Sequence, residues 1–264
     1  MGHVSIRGAR ISVGARTLFE RLDLDILPGE FWALVGPNGV GKTTLLRAIA
    51  GLNQMSSGDL LVDGICARKR SPRERARHIA LLRSDAPAPS GMSVRDVVST
   101  GRFAARPWWR WDENAEDLTA TAEALARVGL TGLADRAFET LSSGERQRAW
   151  LALALAQGAR TILLDEPTSH LDVRYAREIL GLLRNVADGG TTVVAVLHDL
   201  DEAVDFSDRI ALFGHGTLLA SGPPRQALTP QSLSAAYAIP FETFEVGGAY
   251  RIVPSSASRA PSPR

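Results

Sequence analysis

Residues 3–27 run in short apolar pieces broken by single polar positions, "VSIRGARISV" and "LFERLDLDIL". This is the period-two alternation of antiparallel strands. "LPGE" turns the chain into the unbroken apolar run Phe31–Val35, which predicts a buried strand, and Leu45–Gly51 predict a helix that Gly51 ends. "SSGDLLVDGI" predicts a hairpin arm. "SPRERARH", with serine at the N-cap and proline at the first helical position, predicts a short basic helix, and "IALLR" another strand. From about Asp85 to Thr140 the pattern changes: "SVRDVVSTGR" and "AEDLTATAEALARVGL" carry helical spacing with little β-branched clustering. Strand and helix patterns then alternate: "ERQRAWLALALAQG" (helix), "RTILLDEP" (strand), "VRYAREILGLLRNVADGG" (helix), "TTVVAVLHD" (strand), "DEAVDFSD" (helix) and the hairpin "RIALFGHGTLLASG".

Such alternation implies an α/β fold around a mostly parallel sheet with flanking helices. The chain divides on this pattern into a core of residues 1–84 and 141–228, an inserted helical subdomain at 85–140, and a C-terminal extension at 229–264. The tail "PSSASRAPSPR" has the composition of a disordered segment. No internal repeat is visible.

Composition narrows the class. The 264 residues, 45% hydrophobic and 22% charged, are enough for a large buried core. A net charge of +1 gives no general attraction to nucleic acid or an anionic surface. Cys66 is the single cysteine, so no intrachain disulfide forms, which suits a reducing compartment. No signal-peptide pattern opens the chain, and the longest apolar run, Ala149–Ala156, is far below the ~20 residues of a membrane span. The expectation is a soluble chain whose membrane role, if any, comes through a partner.

The chemistry begins with "GPNGVGKTT", Gly36, Pro37, Asn38, Gly39, Val40, Gly41, Lys42, Thr43 and Thr44, between the strand and the helix. It fits G-x-x-x-x-G-K-[ST]. Glycines let successive N–H groups face one concavity, and the helix beginning near Lys42 adds its positive end. Lys42 is placed for the β- and γ-phosphates and the Thr43 hydroxyl for Mg²⁺. Asp165 and Glu166 end a buried strand, and ligands in an open parallel sheet bind at such ends. Asp165 is therefore a Mg²⁺ ligand, direct or through water, and Glu166 the general base for the attacking water. His198 ends another buried strand, where an imidazole can donate to a phosphate oxygen or to that water. "LSSGE" offers a second anion site: Ser142, Ser143 and Gly144 precede a helix, and Glu145 supports its cap. Two phosphate-binding loops but one complete triphosphate pocket suggest two chains head to tail, the serine loop of one closing over the nucleotide of the other.

With these residues in view, the sequence resembles the ATP-binding cassette (ABC) ATPases over about residues 3–225. Gly36–Thr44 match Walker A and Leu141–Glu145 the signature LSGGQ, with Ser143 for glycine and Glu145 for glutamine. Ile162–Glu166 match Walker B, Ser169–Asp172 the D-loop, and His198 the switch histidine. The resemblance implies a P-loop cassette that binds ATP and Mg²⁺ and works as a homodimer beneath two membrane permease subunits, fed by a substrate-binding protein. It also implies peripheral attachment at the cytoplasmic face and no nucleic-acid partner. The phrases "ARHIALL", "VRDVVSTGR", "VLHDL" and "LTPQSLSAAYAIP" are similar to importers of iron–siderophore complexes, haem and cobalamin.

Two positions depart from that family. Val13 stands where an aromatic ring usually stacks on adenine, and it offers no π-face. Ser84 stands where a glutamine links the Mg²⁺ site to the permease; its hydroxyl is a candidate for that metal site through a bound water, with Asp85 beside it as a substitute ligand. "RPWWRW" sets Trp108, Trp109 and Trp111 among arginines in the subdomain that faces the permease, either as an interface or as local packing. Two alternatives stay open: an ATP-gated dimer clamp with little turnover, and an importer ATPase for a metal oxyanion or metal ion.

Overall fold

The computed structural model describes residues 2–83, 89–106, 109 and 112–255. The chain opens with Val4–Val13 (β1) and Arg16–Ile26 (β2), an antiparallel pair across the turn Gly14–Ala15, where Gly14 takes φ 57°. Phe31–Val35 (β3) leads through the phosphate loop into Lys42–Ile49 (α1). Met55–Val62 (β4) and Ile65–Cys66 (β5) form a hairpin, followed by Pro72–Ala76 (α2) and Ile79–Arg83 (β6). Val94–Ser99 (α3), Ala115–Arg127 (α4) and Ser143–Ala156 (α5) supply the helical stretch. Thr161–Asp165 (β7), Val173–Asp188 (α6), Thr192–Val196 (β8), Leu200–Phe206 (α7), Arg209–Gly214 (β9) and Thr217–Gly222 (β10) complete the alternating half. Pro224–Ala227 (α8), Pro230–Tyr237 (α9), Phe241–Val246 (β11) and Ala249–Pro254 (β12) close the described chain.

The central sheet has the order β10-β9-β3-β8-β7-β6, parallel except for the antiparallel edge strand β10. A second sheet, β2-β1-β4-β5, is antiparallel. Both agree with the patterns in the sequence. The alternation within β3 shows why its run is wholly apolar. Phe31, Ala33 and Val35 join the core cluster that packs against α3–α6, while Trp32 and Leu34 join the cluster under β1, β2, β4 and α1. A strand buried on both faces has no polar position to spare. Each of these large side chains contributes about 1.5–3 kcal/mol on burial.

α3 and α4 sit on α5 and share one continuous apolar cluster with the sheet. Their starts are set by capping boxes, Ser93 with Asp96 and Asn114 with Asp117. Beyond residue 228, where the sequence analysis assigns an extension without elements, α9 and the β11–β12 hairpin form. The hairpin is tied to α7 by Arg251–Asp205 at 2.8 Å and by the Ile252 N–H donating to Asp201 Oδ1 at 3.1 Å. The predicted disordered tail lies almost wholly outside the described residues. Among the described residues no helix is long and apolar enough to cross a membrane.

Candidate functional site

In the parallel register, Arg83 stands opposite Asp165, Asp165 opposite Val196, and Val196 opposite Leu34. The carboxyl ends of four strands therefore lie in one row, and the phosphate loop, Glu166 and His198 follow directly from it. This is where ligands of open parallel sheets bind.

The loop closes tightly because two of its glycines have no substitute. Gly36 takes φ 141°, and a Cβ there would lie 2.3 Å from the Phe213 carbonyl oxygen. Gly41 takes φ 113°, and its Cβ would meet the Phe19 ring at 2.9 Å. Gly41 is also the N-cap of α1 and brings no side-chain cap, unlike the capped starts of α3, α4 and α5. The first N–H groups of α1 are left for a ligand, with the helix dipole behind them.

Lys42 is only 5% exposed. Its Nζ donates to the carbonyls of Gly36 at 2.6 Å and Pro37 at 3.0 Å. Burial pushes its pKa down, opposed by the charges of Glu166 and Asp165. An ammonium held in this state gains strongly from an anionic partner. Thr43 Oγ1 donates to Asp165 Oδ1 at 2.7 Å, bringing together the hydroxyl and carboxylate expected to hold Mg²⁺. The oxygen donor set fits that hard cation. Among the described residues no group of three or more His, Cys, Asp or Glu side chains could hold a metal.

Glu166 Oε1 lies 2.8 Å from His198 Nε2. Glu166 has φ 55°, a left-handed conformation that costs a non-glycine residue about 1–3 kcal/mol. Ser169, whose N–H and hydroxyl both bond the Glu166 carbonyl at 3.2 and 2.9 Å, holds that turn. A cleft of about 470 Å³ brings the parts together: Asn38, Gly39, Gly41–Thr44, Glu166 and His198, with Val13, Arg16 and Leu18 from β1 and β2. Val13 is 52% exposed within it.

The serine loop stands apart from this cleft, whose walls include none of Ser142–Glu145. Ser142 and Glu145 form the capping box of α5: the Ser142 N–H and hydroxyl both donate to Glu145 Oε2 at 2.8 Å, and the Glu145 N–H returns to Ser142 Oγ. The Ser142 backbone N–H, then its hydroxyl, lowers the Glu145 pKa. Ser142 and Ser143 are exposed, while Gly144 is buried with the Tyr175 ring in the space of a Cβ. One chain thus offers a phosphate cleft and, elsewhere, an open helix N-terminus with a rigid cap.

Ser84 and Asp85 lie outside the described residues, as do Trp108 and Trp111. Trp109 is 67% exposed. Earlier in the same stretch Arg102 and Arg106, both buried, share the Asp117 carboxylate at 2.9 and 3.0 Å, and Arg106 also stacks over Phe103.

Two residues of the site have no signal in the sequence reading. Arg16 lines the cleft from the hairpin, and only the Val13–Arg16 register places it there. Tyr237, on α9, reaches the first residue of the phosphate loop. Burial raises its pKa, with a backbone hydrogen bond from Gly36 opposing.

The chain is similar to known proteins. A family profile described as ABC transporter matches residues 19–169. The ferric enterobactin transport ATP-binding protein FepC of Escherichia coli K12 is 37% identical over 89% of this chain and 87% of its own. The hemin import ATP-binding protein HmuV of Streptomyces coelicolor is 42% identical over 90% and 84%, and the iron(3+)-hydroxamate import protein FhuC of Bacillus subtilis is 36% identical over 92% and 90%. A solved metal-chelate type ABC transporter in an inward-facing conformation superposes with a TM-score of 0.83 at 28% identity, covering 96% of this chain and 98% of that one. A dimeric ATP-binding cassette in a post-hydrolysis state with ADP and Pi superposes with a TM-score of 0.72 at 26% identity, covering 84% and 99%.

Proposed function

The chain belongs to the ABC transporter ATP-binding family, and on that premise we propose that two copies hydrolyse ATP head to tail to drive a membrane importer of an iron chelate or haem. The observation that carries the reading is the convergence of Thr43–Asp165 and Glu166–His198 at one phosphate loop.

In each site the phosphate-loop N–H groups and Lys42 hold the β- and γ-phosphates. Thr43 and Asp165 would hold Mg²⁺, which would supply positive charge against the phosphates. Glu166 accepts a proton from water as the water oxygen bonds the γ-phosphorus. The bond to the β–γ bridging oxygen breaks, and ADP and phosphate leave. His198 donates to Glu166 or to the γ-phosphate, fixing where the base points. The Ser142–Gly144 turn of the second copy, exposed at its two serines, supplies N–H groups to the γ-phosphate that the first chain's own cleft lacks. The relatives' names support an iron-chelate or haem cargo, carried by two permease subunits with a substrate-binding protein on the far side. The subunit would then dock peripherally at the cytoplasmic face through residues 85–140.

A mixing experiment tests the shared site. Ser142→Arg and Lys42→Ala chains are each expected to be inactive. A mixed dimer contains one doubly damaged and one intact site, so the mixture is expected to recover ATPase activity. No recovery, or activity in a chain held monomeric, contradicts the arrangement.

A further inference from the structure

Arg16 opens β2 directly across the hairpin from Val13. Cross-strand partners project from the same face of a sheet, so the guanidinium and the isopropyl group stand side by side. Both line the phosphate-loop cleft. Arg10, on the neighbouring strand, is engaged with Glu20 at 3.2 Å, whereas the Arg16 side chain is exposed and makes no hydrogen bond or ion pair among the described residues. Arg16 also lines the adjoining cleft of about 440 Å³, bounded by Pro37–Val40, His215 and Tyr237. Its side chain therefore sits on the lip between two hollows, free to fall into either.

The direction of a bound nucleotide follows from the other walls. Lys42, Thr43, Glu166 and His198 take the terminal phosphates, so the nucleoside must run along what remains: Val13, Arg16, Leu18 and Asn38. No Phe, Tyr or Trp lines this cleft, and the imidazole of His198 is held by Glu166. A purine leaving water still needs a flat, weakly hydrated partner for its ring face. A guanidinium is such a partner: planar, delocalised, and able to stack on bases. The phosphates already have Lys42 and the α1 N–H groups, and Arg16 shares the hairpin wall of the cleft with the apolar Val13 and Leu18. We infer that Arg16 is the base-recognition residue of this chain, its guanidinium flat on the purine ring with Val13 packed at the ring's edge. The inference rests on the ATPase reading and adds to it how the nucleoside is held without an aromatic ring.

Calorimetric titration of Mg²⁺–ATP and Mg²⁺–tripolyphosphate into wild type, Arg16→Ala, Arg16→Lys and Arg16→Ala/Val13→Tyr tests it. Tripolyphosphate has every phosphate contact and no base, so it also reports that each variant is folded. Arg16→Ala is expected to weaken ATP roughly three- to thirtyfold, the range of a cation–π contact, and to leave tripolyphosphate unchanged. Arg16→Lys keeps the charge without the plane and is expected to weaken ATP as well. The tyrosine restores a flat face and is expected to recover affinity. Unchanged ATP affinity in Arg16→Ala overturns the inference. So does an equal loss for ATP and tripolyphosphate, which would make Arg16 a phosphate contact. Wild-type affinity in Arg16→Lys overturns the stacked geometry. Wild type that binds tripolyphosphate but neither binds nor hydrolyses ATP overturns the ATPase reading itself.

Discussion

His198 Nε2 sits 2.8 Å from Glu166 Oε1, joining the ends of two adjacent parallel strands beside the phosphate loop. Neither residue gains this contact from local sequence; the register of β7 against β8 makes it. Glu166 is strained in a left-handed conformation, and the imidazole gives its carboxylate a fixed direction.

If that direction matters, His198→Ala keeps nucleotide binding and loses rate. Misplacing a catalytic group by about 1 Å can cost about 10²-fold, and a loss of that order in phosphate release is expected. ATP affinity by titration is expected to stay within a few-fold. A large loss of affinity with normal turnover at saturation would make His198 a binding group instead.

Lys42 carries the opposite balance of stability and function. Its folded pKa lies below the ordinary 10.5 because burial penalises the ammonium, despite Glu166 and Asp165. A depressed lysine pKa means the charged form opposes folding at every pH below the folded value, and the penalty fades as pH rises toward 10.5. Lys42→Met removes that buried charge. The nucleotide-free variant is expected to melt no lower than wild type, yet to lose the ATP-dependent gain, about 2.7 kcal/mol for wild type at 100 times its Kd. Thermal melts with and without Mg²⁺–ATP decide it; a variant that keeps the ATP-dependent gain contradicts the role of Lys42.

Glu202, on α7, links the loop after β7 to the helix after His198: Thr168 Oγ1 donates to its Oε2 at 3.3 Å. Burial, then the Asp199 charge, raises its pKa above the ordinary 4.5, with the Thr168 hydroxyl and Arg177 opposing. A raised carboxyl pKa favours the fold fully below 4.5, and that contribution is lost as pH rises through the folded value. Glu202→Gln mimics the neutral form. It is expected to raise the melting temperature at pH 8, with the gain shrinking as pH falls toward 4.5. A gain that grows on acidification contradicts the sign.

Much of this was legible because local rules and the fold agree. The Gly36–Thr44 spacing, the wholly apolar β3, and the Ser142–Glu145 capping box each need only neighbouring residues. The β11–β12 hairpin was also available: "FEVGGAYRIV" alternates about Gly247–Gly248, a hairpin turn signal. Other features depend on distant pairing and have no local trace. The Glu166–His198 contact needs the β7–β8 register, the place of Arg16 needs the β1–β2 register, and the reach of Tyr237 to Gly36 needs α9 to dock beside β9.

Glu166→Gln tests the central claim most directly, because it keeps the shape of the side chain and removes the proton acceptor. The measurement is ATP turnover together with oligomeric state by gel filtration in Mg²⁺–ATP. The account expects hydrolysis to fall on the order of 10²- to 10⁴-fold while ATP still binds and a nucleotide-bound dimer accumulates. Turnover like that of wild type, or a monomer at saturating ATP, would contradict it.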